Sequence, residues 1–186
     1  CDALYAVWLM VHPMGYSPSL TYPRGALTPS VVVWRWTVVQ RVQRRTWDSV
    51  RRFVGMLAGS QGGKTCLGPP WLHRELQLHG PGDYLAVTAN YDLFKLKMLP
   101  ELLSYFEHAL GIGRYWVGDR VLELAQDLVP GKFLARQASD PMWARIILRS
   151  AEAPAGLESA TAKAAWLDEA GHPDFGRGAW EAIQRR

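Results

Sequence analysis

The amino-acid sequence predicts an α/β fold in which a mainly parallel β-sheet is flanked by helices, and three observations lead to that prediction. Short apolar runs alternate with longer segments of helical periodicity along the 186 residues. The runs are of the length and composition expected of buried strands. A hydrophobic content of 48% is sufficient for one real core. The sequence therefore predicts one folded domain with helices on both faces of its sheet.

The first part of the chain predicts an irregular arm. Residues 1–36 contain several prolines and glycines, and neither a helical nor a strand period is sustained there. Residues 37–186 should form the domain itself. Its first elements are a helix over residues 37–52 and a short buried strand at Phe53–Leu57.

A second helix should begin near Lys64, after a glycine-rich break. Pro69 and Pro70 fall early in this helix, and we expect the pair to bend or interrupt it. The next apolar run, Tyr84–Thr88, predicts a strand. The periodicity of Asp92–Leu110 then predicts a helix with a kink at Pro100.

Two further apolar runs, Arg145–Leu148 and Ala164–Leu167, predict buried strands. The sequence opens at Cys1 rather than at a methionine, and it stops at Arg186 within a helical pattern. We therefore expect a fragment whose domain is incomplete at the C-terminus.

The charge distribution indicates a basic face ahead of the glycine-rich break. The net charge of +4 is too small to establish a nucleic-acid partner by itself. Six arginines nevertheless crowd one stretch against the single acid Asp48: Arg35, Arg41, Arg44, Arg45, Arg51 and Arg52. They form either a surface that binds phosphates or an ordinary solvated helix face.

Cysteine use and hydropathy narrow the choice of cellular compartment for this protein. The two cysteines, Cys1 and Cys66, do not make a disulfide framework, which favours a reducing cytosol. The apolar runs at residues 4–11 and 31–39 are too short to span a bilayer. We expect neither a transmembrane helix nor a secretory signal.

The glycine-rich break has the form of a Walker A loop, with alanine in the place of the first glycine. Small residues let the backbone wrap around phosphate oxygens, and a helix N-terminus adds a partial positive charge. Lys64 would neutralise the β and γ phosphates, and Thr65 would place its hydroxyl on Mg²⁺. The alternative is a glycine-rich turn before a helix. The loop comprises Ala58, Gly59, Ser60, Gln61, Gly62, Gly63, Lys64 and Thr65.

The apolar run at Ala164–Leu167 ends in two adjacent acids, which is the form of a Walker B strand. At the carboxyl end of the strand, Asp168 could hold the magnesium ion, and Glu169 could polarise a water for in-line attack on the γ phosphorus. The two motifs together predict a P-loop NTPase that uses ATP and Mg²⁺, with Lys64 and Glu169 as its catalytic residues.

Other polar residues are weaker candidates. Gln40 and Gln43 lie where a glutamine could read adenine, although the pattern favours a surface glutamine on a helix. His172 could sense the γ phosphate, or it could be a loop histidine without that duty.

Three segments together resemble the large terminase subunit of tailed bacteriophages: Gly59–Thr65, Val87–Tyr91 with its following helix, and Leu157–Gly171. The resemblance covers about Arg52 to Arg186. It implies the N-terminal ATPase domain of a RecA/ASCE-like motor that packages viral DNA in the cytoplasm of an infected bacterium. It also implies double-stranded DNA, a portal protein and a small terminase subunit as partners, with a homo-oligomer possible.

The sequence departs from that family in three ways. The family is expected to place an arginine finger before the Walker B strand, but Gly156–Ala165 offers only Glu158 and Lys163, and Arg149 is the nearest arginine. The coupling motif expected beyond Glu169 and the ribonuclease-H-like nuclease domain are both missing from the sequence.

The motifs leave two other functions open. Asp168, Glu169 and Ala170 also resemble the Asp-Glu-Ala box of helicases, so a helicase-like DNA translocase is one alternative. The other is an inactive fragment that binds nucleotide without turnover.

Overall fold

The computed structural model describes residues 5–11, 41–58, 63–125, 142–153, 156–157 and 161–185. The strands there are β1 (Tyr5–Val11), β2 (Phe53–Ala58), β3 (Gly82–Thr88), β4 (Gly113–Trp116), β5 (Val121–Ala125), β6 (Met142–Ser150) and β7 (Ala162–Asp168). They form one sheet in the order β2-β1-β7-β3-β6-β5-β4. The helices are α1 (Arg41–Trp47), α2 (Lys64–His79), a composite helix α3 over residues 91–109, and α4 (Arg177–Gln184).

The α/β architecture is as predicted, but the sheet is mixed rather than mainly parallel. Strand β3 pairs in parallel with β6 and β7, whereas β1 is antiparallel to both of its neighbours. Strand β5 is antiparallel to both of its neighbours, β4 and β6. Strands β4 and β5 are joined by the turn at residues 117–120, and so short a connection can only join antiparallel strands. The prediction of a mainly parallel sheet overlooked this hairpin and β1.

Strand β1 also corrects the prediction of an irregular arm at residues 1–36. Tyr5–Val11 pairs with β2 on one side and with β7 on the other, so these residues form an internal strand next to the edge strand β2. Their sequence, YAVWLMV, has no apolar–polar alternation. The prolines and glycines at residues 13–29 favour irregular structure, and they outweighed this short apolar run in the prediction. The remainder of the predicted arm lies outside the described residues.

Helix α2 begins at Lys64, as predicted, and it is not interrupted at Pro69 and Pro70. Prolines at these positions remove only the hydrogen bonds to the carbonyl groups of Thr65 and Cys66, near the start of the helix. Both prolines are buried beside Glu101, Ser104 and Tyr105 of α3, and their burial offsets that loss.

Helix α3 corresponds to the helix predicted at Asp92–Leu110. It consists of four consecutive segments: Tyr91–Leu93, the π-helical Phe94–Met98, Leu99–Leu102 and the π-helical Leu103–Ala109. The side chain of Asn90 caps its first turn by accepting a hydrogen bond of 3.0 Å from the N–H of Leu93. Pro100 is the second residue of the third segment, so it lies inside the composite helix, directly after the first π-helical segment.

Two apolar cores cover the two faces of the sheet. On one face, α2 and α3 pack against alternate residues of β3, β5, β6 and β7, with Trp71, Leu76, Phe106, Tyr84 and Trp166 among the buried side chains. On the other face, α4 packs against the intervening residues, with Leu85, Val87, Leu167, Ala179 and Ile183 buried. In the described residues, no helix combines the length and the apolar character needed to cross a bilayer.

Helix α2 lies very close to the sheet at Gly68. A Cβ atom added to Gly68 would lie 2.1 Å from Cε2 of Trp166, a fully buried residue of β7. Gly68 is therefore the residue that allows α2 to rest on the indole ring.

We expect Gly68→Ala to destabilise the protein by about 1–3 kcal/mol or more, because the added methyl group must push α2 away from β7. Gly178→Ala is the matched control: it lies in α4, and an added Cβ would meet nothing within 4 Å. Because alanine favours helix over glycine, this control should be stabilised by up to about 1 kcal/mol. Urea unfolding of both variants measures the difference, and equal stabilities would contradict the close approach.

Burial of His73 on α2 predicts a loss of stability in mild acid. Burial lowers the pKa of His73 from 6.5 to about 4, and its Nδ1 lies 3.0 Å from the Tyr105 hydroxyl. The unfolded chain therefore takes up a proton near pH 6.5, whereas the folded chain does so only near pH 4. Stability should fall between these two values, by on the order of 3 kcal/mol in total from this residue.

Thermal unfolding between pH 8 and pH 4 tests this expectation. The decline with falling pH should be smaller in His73→Gln than in the parent, whereas His108→Gln, which removes an exposed histidine from α3, should follow the parent curve. Superimposable curves for all three proteins would contradict a buried, neutral His73.

Candidate functional site

The candidate site lies at the edge of the sheet where four strands of the same direction end. Strands β3, β6 and β7 are parallel, and β2 runs in the same direction because β1 is antiparallel to both β2 and β7. The carboxyl ends of β2 and β7 therefore meet at one edge, with β1 between them. Strand β2 ends at that edge, and α2 is the next helix along the chain.

The start of α2 has the geometry of an anion-binding helix terminus. Gly63 precedes the helix in the left-handed region, with φ of 66°, and its carbonyl accepts a hydrogen bond of 3.3 Å from Nε2 of Gln43. An added Cβ would lie 2.6 Å from that nitrogen, the far end of a flexible side chain, so it is the backbone conformation that favours glycine here. Lys64 is buried at the first residue of α2, where the dipole of the helix favours negative charge.

A direct hydrogen bond joins α2 to the end of β7. The Thr65 hydroxyl donates to Oδ2 of Asp168 over 2.9 Å, across 103 positions of sequence. Asp168 is buried, and burial raises the pKa of its carboxyl from 3.8 to about 6, with the hydrogen bond from Thr65 acting in the opposite direction. Two hard oxygen groups, suited to Mg²⁺, thus lie in contact.

Glu169 follows directly in a strained backbone conformation. Its φ is 55°, in the left-handed region that few residues other than glycine adopt, and its N–H donates to Oδ1 of Asp168 over 3.1 Å. The side chain is buried, and Oε1 forms an ion pair of 3.0 Å with Nζ of Lys97 on α3. Among the described residues, Oε2 has no hydrogen-bond partner.

Strand β3 places a third polar group at this edge. Thr88 is buried at the end of β3 and lies in register with Asp168. Beyond the strand, Nδ2 of Asn90 donates to Oδ2 of Asp174 over 2.8 Å, and Asp174 also lies 3.3 Å from Nδ1 of His172. The loop after Glu169 is thereby attached to the start of α3.

The structure brings together the residues that the two sequence motifs single out, where it describes them. Thr65 contacts Asp168, Lys64 precedes Thr65 on α2, and Glu169 lies beside Asp168. Ala58 is the last residue of β2, as expected for the start of the loop. Gly59, Ser60, Gln61 and Gly62 lie outside the described residues.

Two contacts at the site were not predicted. Lys97 is one of two lysines in a helical run, and nothing in its sequence neighbourhood indicates a partner 72 positions later. Gln43, one of the two candidate readers of adenine, is half-buried, and its Nε2 donates to the carbonyl of Gly63. Gln40, the other glutamine considered, lies outside the described residues.

Arg149, the arginine nearest to the position expected for an arginine finger, belongs to the opposite face of the sheet. It is in register with Val87, whose side chain packs on the α4 face, whereas Asp168 is in register with Thr88 and contacts α2. Its Nη1 donates to the carbonyl of Leu148 over 2.8 Å. Burial, with a contribution from Arg120, lowers the pKa of Arg149.

Comparison of the chain with protein-family models, with curated proteins and with solved structures finds no match in any of the three.

Proposed function

We propose that this chain is a P-loop NTPase domain that binds and hydrolyses ATP with Mg²⁺. The single observation that carries the proposal is the hydrogen bond of 2.9 Å between Thr65 and Asp168. It joins two motifs, each of which could be an ordinary turn when considered alone. A glycine-rich loop and a pair of acids have no structural need to meet, but an enzyme that binds Mg·ATP needs both at one metal ion.

Each residue has a role that follows from its position. The N–H groups at the start of α2 bind phosphate oxygens, and the buried Lys64 neutralises the β and γ phosphates. Thr65 and Asp168 would hold Mg²⁺, which when bound would offset the charge that develops on the phosphate oxygens. Glu169 accepts a proton from the attacking water. Two protein oxygens suffice, because Mg²⁺ keeps water and phosphate among its ligands.

We further propose that this ATPase belongs to a DNA-translocating motor that resembles the large terminase subunit of tailed bacteriophages. The supporting observations are the motifs at Gly59–Thr65, Val87–Tyr91 and Leu157–Gly171, together with the basic stretch. Arg44, Arg45, Arg51 and Arg52 are exposed on α1 and the segment after it, where they can contact DNA phosphates. A portal protein, a small terminase subunit and further copies of the chain would complete the motor in the cytoplasm of an infected bacterium.

We expect Lys64→Ala to weaken ATP binding by roughly 10- to 100-fold, because a charged hydrogen bond to phosphate contributes about 1.5–3 kcal/mol. Titration with a fluorescent ATP analogue in Mg²⁺ measures the affinity. Lys163→Ala is the control, since Lys163 donates to the carbonyl of His79 at the opposite edge of the sheet. Unchanged affinity in Lys64→Ala would mean that Ala58–Thr65 is only a turn.

We expect Glu169→Gln to retain Mg·ATP binding while hydrolysis falls by on the order of 100-fold or more, because an amide cannot accept the proton of the attacking water. Single-turnover release of labelled phosphate measures the rate. Glu181→Gln is the control, because Glu181 forms ion pairs only with Arg177 and Arg185 among the contacts described for α4. Equal rates in the parent and Glu169→Gln would remove Glu169 from the mechanism, and binding without Lys64-dependent hydrolysis would favour a nucleotide-binding fragment.

A further inference from the structure

We propose that Lys97 is a positioning residue that orients Glu169 for proton abstraction. The inference rests on the proposed ATPase function, in which Glu169 is the general base. Lys97 belongs to neither sequence motif, and it reaches the site from α3, a helix that contributes none of the predicted site residues.

The two oxygens of the Glu169 carboxylate have different environments. Oε1 lies 3.0 Å from the Lys97 ammonium, and Oε2 is buried without a hydrogen-bond partner among the described residues. A buried carboxylate oxygen without a partner carries a desolvation cost unless a further donor arrives. A water molecule bound for attack on the γ phosphorus is such a donor. Lys97 therefore holds one oxygen and leaves the other available to accept the proton.

The backbone of Lys97 is fixed in a way that suits this role. Phe94 and Met98, at the two ends of the same π-helical segment, are both buried in the core beneath α3. The Lys97 side chain is 46% exposed, whereas that of Glu169 is 5% exposed, so the lysine extends from the surface towards a buried partner. The Glu169 carboxylate is thus held by the Lys97 ammonium, and the backbone of Glu169 is held by the hydrogen bond from its N–H to Asp168.

Orientation of a base by a third group is a general requirement for fast proton transfer. A carboxylate that can rotate spends time with neither oxygen directed at the water, and misplacement of a reacting group by about 1 Å can reduce a rate by roughly 100-fold. Lys97 supplies what the third residue supplies in other catalytic arrangements, a hydrogen bond that fixes the base without itself touching the substrate.

The test is the steady-state rate of Mg·ATP hydrolysis by Lys97→Met, which keeps the length of the side chain and removes its charge. We expect kcat to fall by roughly 10- to 100-fold with little change in KM, because the lost interaction acts on the transition state rather than on ATP binding. Lys97→Arg should recover most of the rate. Lys95→Met is the matched control, since Lys95 lies two residues earlier, over the ring of Tyr91. This variant should hydrolyse ATP like the parent.

A double variant separates positioning from a merely structural role. If Lys97 acts through Glu169, then Lys97→Met combined with Glu169→Gln should be no slower than Glu169→Gln alone. A further loss in the double variant would overturn the inference, as would a parental or increased kcat in Lys97→Met. Lys97→Gln, which keeps a donor, provides a second variant if Lys97→Met does not fold, and a rate close to that of the parent is then expected.

Failure of this inference is distinguishable from failure of the proposed function. Phosphate release that depends on Lys64 and Glu169 but not on Lys97 overturns only the positioning role. Absence of any Lys64-dependent phosphate release in the parent overturns the ATPase function and the positioning role together.

Discussion

The contact between Gly68 and Trp166 is the constraint on which the candidate site depends. It sets how closely α2 rests on β7, and therefore where the first residues of α2 lie relative to the acids at the end of that strand. With the helix at this distance, the Thr65 hydroxyl reaches Asp168. The parallel pairing of β3 with β7 then adds Thr88 beside Asp168. If α2 lay further from β7 by the radius of a side chain, the two motifs would be separated.

The electrostatics of the site set stability against function. Asp168 and Glu169 are adjacent and buried, and burial of a carboxylate disfavours its charged form, as the raised pKa of Asp168 indicates. The left-handed backbone conformation of Glu169 adds a further cost in stability. Lys97 offsets part of this cost through its ion pair. Burial of these two carboxylates costs stability without a metal ion, and a divalent ion that supplies positive charge offsets that cost. The proposed Mg·ATP chemistry requires this behaviour.

The sequence was most informative where chemistry and local structure require the same residues. Strands β2 and β7, the start of α2 and the adjacent acids were predicted because a glycine-rich break, a helix start and an apolar run are each readable within a few residues. Lys97 was not predicted, because only the packing of α3 on the sheet determines that it meets Glu169. Strand β1 was missed because the prolines and glycines that follow its apolar run favoured an irregular arm, and the sheet was predicted to be mainly parallel because both β1 and the β4–β5 hairpin were overlooked.

The placement of β1 determines the order in which the sheet can be assembled. Its partners are β2, at Phe53–Ala58, and β7, which pairs Leu167 with Trp8 from nearly the other end of the described chain. During synthesis, β1 leaves the ribosome before β2 and long before β7, so one of its two edges can find its partner only after the chain up to β7 has emerged. Such long-range pairing slows folding, and it leaves an open strand edge exposed in the nascent chain until β7 arrives.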